Sequence, residues 1–197
     1  MVKGHELYHS GFISAGLEEL VSATEIDSNF ALAYSLIACA YSFAKEDSLS
    51  NVYTEKARSF DDRFTGIAQE SLIYRGNEAW FRFYAAKSEA DKQEALKQCE
   101  RSYRTITELY PDQYQGYLYL GLYHSYLSND HEMAIRNYEK AIELNPQWFP
   151  TYRDLAYSLR TVNGPGAAIE LLNGYINDYP DAPGVPYARQ TLKEISG

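Results

Sequence analysis

Tyr117-x-x-Leu120-Gly121-x-x-His124, then Ala134-x-x-x-Tyr138-x-x-Ala141, then Pro146: this stretch decides how the chain folds. Within each block the marked residues recur at three- and four-residue spacings, 117, 120, 121 and 124 and then 134, 138 and 141, which puts them on one face of a helix. Asn129-Asp130 between the blocks supplies a cap for the second helix, and Glu132 stands where the acidic partner of a capping box is expected. Pro146 closes the pair. The unit is therefore a helix, a turn, a second helix and a stop.

The closing position serves as a ruler for the rest of the chain. Ser28, Asp62, Pro111, Pro146 and Pro180 occupy it, at spacings of 34, 49, 35 and 34 residues. Composition alone does not produce so regular a period. Around these marks the same face recurs. Gly16, Leu20 and Ala23 hold the packing positions of the first unit's second helix, and Gly4 and Leu7 mark its shortened first helix. Tyr34, Ile37, Ala38 and Tyr41 mark the next unit, followed by Ser50, Thr54 and Ala57. Tyr152, Leu155 and Ala156, then Ala168, Leu172 and Tyr175, mark the last. Asp27-Ser28-Asn29 and Asp47-Ser48 offer side-chain caps. In Asn163-Gly164-Pro165-Gly166, glycine stops one helix and proline begins the next.

The third unit is about 15 residues longer than the others. Its helices are expected over 67–86 and 91–109, joined by a polar connection from Lys87 to Lys92. Cys99, Tyr103 and Ile106 take packing positions, and Gly76 falls mid-helix. Trp80, Phe81, Phe83 and Tyr84 form an aromatic run that serves either as core or as an exposed contact patch. A final helix over 184–196 puts Tyr187, Leu192 and Ile195 on the last unit and turns Arg189, Lys193 and Glu194 to water.

On these residues the chain resembles the tetratricopeptide repeat (TPR) family over nearly its whole length, with His124 where the family usually has tyrosine. The resemblance implies an all-α solenoid: a right-handed superhelix of antiparallel helix pairs. It implies about five repeats, at 1–30, 31–64, 65–113, 114–148 and 149–182, plus the capping helix, as one domain over 1–197. It further implies a binding scaffold whose partner is a protein or peptide lying in a concave groove lined by the first helix of each pair. Carried over by position, that groove includes Ser35 and Cys39, Leu118, Leu122 and Ser125, and Arg153, Tyr157 and Arg160, with Ser42 beside them. The Lys and Asn that clamp a terminal carboxylate in chaperone-binding TPRs have no counterpart at Ser35/Cys39, Leu118/Leu122 or Arg153/Tyr157. Phe30-Ala31-Leu32-Ala33-Tyr34, Glu55-Lys56-Ala57-Arg58 and Leu109-Tyr110-Pro111-Asp112 resemble TPR tails of bacterial signalling proteins, and the start inside a helix fits a piece cut from one. The place to look for a ligand is between Trp80–Tyr84, Leu118–Leu122 and Tyr157.

Composition narrows the partner. The net charge is −9 with no Lys/Arg cluster, which argues against nucleic acid. No apolar run reaches the roughly 18–20 residues of a membrane span. No secretory leader is apparent at the N-terminus, and the two cysteines, Cys39 and Cys99, form neither a disulfide framework nor a zinc pattern, so a cytoplasmic setting is expected. Tyrosine is abundant, 19 of 197 residues, which suits half-buried helix faces.

Two constellations could carry chemistry. His5-Glu6-Leu7-Tyr8-His9 has the H-E-x-x-H spacing of a zinc hydrolase. It lacks room for the strands that wall such a cleft, and Phe12 stands where the extended form needs glycine. Arg75 and Arg82, and likewise Arg153 and Arg160, lie seven apart and share a helix face. They are either a basic inner wall for a carboxylate-rich peptide or side chains in water or paired with nearby acids. No cofactor, metal or catalytic residue is expected. Self-association of the chain is the alternative function.

Overall fold

A computed structural model describes residues 12–28, 30–44, 46–60 and 68–197. The His5–His9 motif, Gly4, Leu7 and the closing position Asp62 lie outside them. The described residues form helices α1 (Phe12–Ile26), α2 (Ala31–Phe43), α3 (Asp47–Arg58), α4 (Gln69–Ala85), α5 (Glu89–Leu109), α6 (Tyr114–Tyr126), α7 (His131–Leu144), α8 (Phe149–Asn163), α9 (Pro165–Asp178) and α10 (Val185–Ser196), with no strand among them. The chain is an all-α helical repeat. It divides into two compact units, Met1–Ser102 and Tyr103–Gly197, at a point inside α5.

In the first unit α2 packs against α1, α3 and α4. Helix α2 is apolar nearly all round, Ala-Leu-Ala-Tyr-Ser-Leu-Ile-Ala-Cys-Ala-Tyr-Ser-Phe, as a helix with neighbours on several sides must be. Ala33, Ile37 and Ala38 are completely buried. Helix α3 turns Ser50, Thr54 and Ala57 inward, and the Ser50 hydroxyl donates to the Ala38 carbonyl at 3.0 Å. Thr54 stands buried where an aromatic is usual, and nearby Tyr34, Ala57 and Tyr74 form a buried cluster with Tyr53 and Phe60 packed against it. The Tyr34 ring stacks on Phe60 at 6.1 Å.

The second unit alternates in the same way. Helix α7 lies against α6 and α8, and α9 against α8 and α10; α6, α8 and α10 form a row, each touching the next. Ala134, Tyr138, Ala141, Ala168 and Leu172 are completely buried, and Tyr175 nearly so. Burying an aromatic ring of this size contributes about 2–3 kcal/mol. Tyrosine adds a second service. The Tyr34 hydroxyl donates to the Ser28 carbonyl at 3.2 Å and the Tyr152 hydroxyl to the Pro146 carbonyl at 3.0 Å, each six residues back at a closing position. Tyr175 donates to the Gln147 carbonyl at 3.2 Å. These turns present carbonyls that no helix satisfies, and the buried rings reach them.

The helix ends correct several sequence expectations. Helix α5 begins at Glu89, two residues earlier than expected, because Ser88 caps it: the Ser88 hydroxyl accepts from the Asp91 amide at 3.1 Å and donates to the Asp91 carboxylate at 2.6 Å. Asp130 caps α7 by accepting from the Met133 amide at 3.0 Å, so the third helical position is Met133 and Glu132 is not the capping-box partner. The residues directly before α2 and α3 are Phe30 and Glu46, and neither makes a side-chain cap, so the cap positions do not fall on Asp27-Ser28 or Asp47-Ser48; Asn29 lies outside the described residues. Gly164 ends α8 and precedes Pro165 at the start of α9. Its φ of 84° and ψ of 174° lie in a region open essentially to glycine alone.

Burial, with smaller contributions from Asp154 and Tyr126, pushes the Tyr138 hydroxyl well above the ordinary tyrosine value. An unfolded tyrosine ionises near 10. The folded value is the higher one, so the unfolded state loses its proton first as pH rises. The stability that neutral Tyr138 supplies is whole below the unfolded value and is lost as pH climbs through the folded one. Urea midpoints are expected to fall on the alkaline side of the tyrosine range. In a Tyr138→Phe variant that decline is expected to be shallower; an unchanged decline would assign it to other groups.

Candidate functional site

The face offered by the row α6–α8–α10 is built from the residues left over after the core is filled. Leu118 and Leu122 on α6 are half-buried and pack against the cluster of Ala134, Tyr138 and Leu155. Beyond them Ser125 joins two helices to its own. Its hydroxyl lies 3.1 Å from the Tyr138 hydroxyl and 3.0 Å from the Ser158 hydroxyl, so a chain of three hydroxyls ties α7, α6 and α8 together. Such a part-buried chain favours one helix register, since a slip leaves the buried Tyr138 or Ser158 hydroxyl unpaired. Helix α6 carries no Asp, Glu, Lys or Arg.

On α8, Arg153 and Arg160 flank Tyr157. The Arg153 guanidinium donates through Nε at 3.2 Å and through Nη2 at 3.1 Å to Asp154 Oδ1, and through Nη2 at 3.4 Å to Oδ2. The two side chains are 12% and 3% exposed, so the pair is an internal one. Tyr157 is half-buried and donates to Glu194 Oε2 on α10 at 2.8 Å. Burial first, then the bond and charge of Glu194, raise its hydroxyl above the ordinary tyrosine value. Arg160 is exposed. The structure thus brings Ser125, Arg153 and Tyr157 into one polar band beside Leu118 and Leu122.

The first unit places its sequence-predicted residues differently. Ser35 is 1% exposed and accepts from the Asn77 side-chain amide at 3.0 Å. It faces α4, not a ligand, and does the joining work that Ser125 and Ser158 do in the second unit. Cys39 is partly exposed, but burial of its sulfur, helped by the Glu78 charge, pushes the thiol up to about 12. At neutral pH it is a thiol and no nucleophile. Arg75 donates to the Ser71 carbonyl within its own helix at 3.3 Å. Arg82 lies on an open cleft of about 410 Å³ with Ala85, Ala86, Lys87, Asp91, Glu94 and Ala95, at the turn between α4 and α5. Of the aromatic run, Trp80 is buried and Tyr84 is 59% exposed.

Sequence reasoning missed Glu194 and Gln190. Both sit on a helix read as a cover, with Glu194 expected to face water, and Glu194 reaches Tyr157 across 37 residues. No local spacing carries that signal. Among the described residues no group of three or more His, Cys, Asp or Glu side chains is arranged to hold a metal. No described helix is long and apolar enough to cross a membrane.

No protein-family model matches the chain, and no curated protein does. Solved structures do. A thermophilic TPR protein of Thermus thermophilus matches over 94% of this chain and 93% of its own, with a TM-score of 0.63 and 16% identity. The TPR2B domain of yeast Sti1, solved as a complex with pHsp70, matches 62% of this chain and 96% of its own at a TM-score of 0.44 and 18% identity. YrrB, a TPR protein with an unusual peptide-binding site, matches 91% and 87% at 0.44 and 18%. The first of these likenesses shows that the helical repeat has the TPR fold.

Proposed function

We propose that the chain is a protein-interaction scaffold that holds an extended peptide or protein segment on the α6–α8–α10 face. One observation carries this reading. Half-buried apolar side chains, Leu118 and Leu122, lie beside the hydroxyls of Ser125 and Tyr157, which are held by bonds between helices. Apolar anchors next to oriented hydrogen-bonding groups are what an extended segment needs for affinity and register. A place as the sensory or regulatory part of a larger signalling protein is the finer form of the proposal, resting on the resemblance of Phe30–Tyr34, Glu55–Arg58 and Leu109–Asp112 to tails of such proteins.

Site-specific photo-crosslinking tests the face. A benzophenone amino acid at Arg160 is expected to capture peptides from a mixed pool of extended peptides. The same group at Arg136, exposed on α7, is expected to capture none. Equal capture at both positions, or capture at Arg136 alone, would remove this face from consideration. Light scattering on the same samples separates a peptide scaffold from a self-associating module: a monomer at high concentration excludes the latter.

A further inference from the structure

Helix α10 does more than cover the last repeat. It sets a carboxylate on the proposed binding face. Glu194 Oε2 accepts from the Tyr157 hydroxyl at 2.8 Å, and Glu194 Oε1 accepts from the Gln190 side-chain amide at 3.2 Å. Donors from two helices hold the group in one orientation. Val185, Ala188 and Ile195, buried with Phe149, Tyr152 and Tyr175, hold α10 itself. A carboxylate offers about four lone-pair directions. Two are used, so each oxygen keeps one for an incoming donor. Glu194 is half-buried, and among the described residues no lysine or arginine nitrogen forms an ion pair with it.

The rest of the face offers an anionic ligand little. Arg153 directs its guanidinium at Asp154, and α6 carries no Lys or Arg. Arg160 stands about a turn beyond Tyr157, at the exposed edge. A carboxylate-rich segment laid along this row would meet Glu194 where α8 and α10 come together.

We propose that Glu194 is the specificity-determining residue of the α6–α8–α10 face, and that the segment bound there presents a lysine or arginine to it. The inference rests on the peptide-binding reading above and names the partner's chemistry. An ammonium or guanidinium group fits the two open lone pairs of a carboxylate already oriented, so its charge-assisted bonds form with little further ordering. The same carboxylate repels an acidic segment, which is half of specificity. The net charge of −9 attracts a basic segment at long range and speeds its arrival. The four arginines of the sequence reading then divide. Arg153 and Arg75 bond within the fold, Arg82 lines a different cleft, and Arg160 borders the site without defining it.

Fluorescence anisotropy with two labelled probes tests this. The probes are extended nine-residue peptides, identical except for arginine or glutamate at the central positions. The arginine probe is expected to bind the full chain more tightly than the glutamate probe. Glu194→Gln keeps the side-chain shape and removes the charge; it is expected to weaken the arginine probe about tenfold and to leave the glutamate probe unweakened. Tyr157→Phe removes one orienting donor and is expected to weaken the arginine probe by a smaller factor, about threefold. Circular dichroism melts of both variants, matching the parent, assign the losses to the site. If the arginine probe binds the parent and Glu194→Gln equally, or if the glutamate probe binds the parent more tightly, the inference is overturned and the groove reading survives. If neither probe binds, the groove reading falls with it.

Discussion

Gly121→Ala is expected to destabilise the protein by about 3 kcal/mol, the upper end of what overpacking a core costs. Gly121 lies mid-way along α6, and a methyl group there would run into the ring of Tyr138, which is completely buried on α7. The ring cannot swing aside. Its hydroxyl is tied to Ser125, and its neighbours Ala134 and Leu155 are themselves buried. The clash can be relieved only by parting α6 from α7, which opens the hydroxyl chain from Tyr138 through Ser125 to Ser158 as well. The melting temperature is expected to fall by on the order of 10 °C or more. Gly174→Ala is the control. An added methyl group there meets nothing within 4 Å, and the gain in helix propensity is expected to stabilise α9 by about 0.5–1 kcal/mol. Thermal melts of the pair separate steric contact from backbone entropy. Equal and small effects would mean that Gly121 is present only for its backbone freedom.

The same glycine shows why the fold was legible. Gly121 meets Tyr138 across a single turn, and Ala134 lies in the same buried cluster as Tyr138, so the spacing of these residues records the packing of one helix pair. Gly164-Pro165 is legible for a similar reason, since it concerns adjacent residues only. The caps before α2 and α3 misled because serine and aspartate near a helix start are common, while the position that becomes the cap is set by where the preceding turn leaves the chain. That position fell to Phe30 and Glu46. The site was less legible than the fold. Ser35 looked outward by position, yet it follows Tyr34 on the side of α2 that meets α4, and Asn77, which bonds it, is 42 residues away. Tyr157 was legible as a face residue, but its partner Glu194 was not. Helices α2 and α6 are apolar around most of their circumference, so no stripe marks which side is left open. Contacts between successive first helices, which decide which side is open, leave no period in the sequence.

The second large effect is expected at Arg153. Arg153→Met is expected to cost about 3 kcal/mol, because it leaves the Asp154 carboxylate buried without its cation. With the two side chains 12% and 3% exposed, little solvent screens the loss. Asp154→Asn keeps the shape of the acceptor and removes its charge. The double variant Arg153→Met/Asp154→Asn is therefore expected to be more stable than Arg153→Met alone, since no unpaired charge remains inside. A double-mutant cycle in urea measures the difference, and a coupling near zero would show that the pair does not hold the helix. The cycle also bears on binding. At a temperature where circular dichroism shows each variant folded, Arg153→Met is expected to keep the affinity of a groove-bound peptide within about twofold, because the guanidinium of Arg153 is turned to Asp154 and not to the ligand. A tenfold loss of affinity with the fold intact would mean that Arg153 leaves Asp154 when a ligand arrives, and the arginine pair would then return as the basic wall that its seven-residue spacing first suggested.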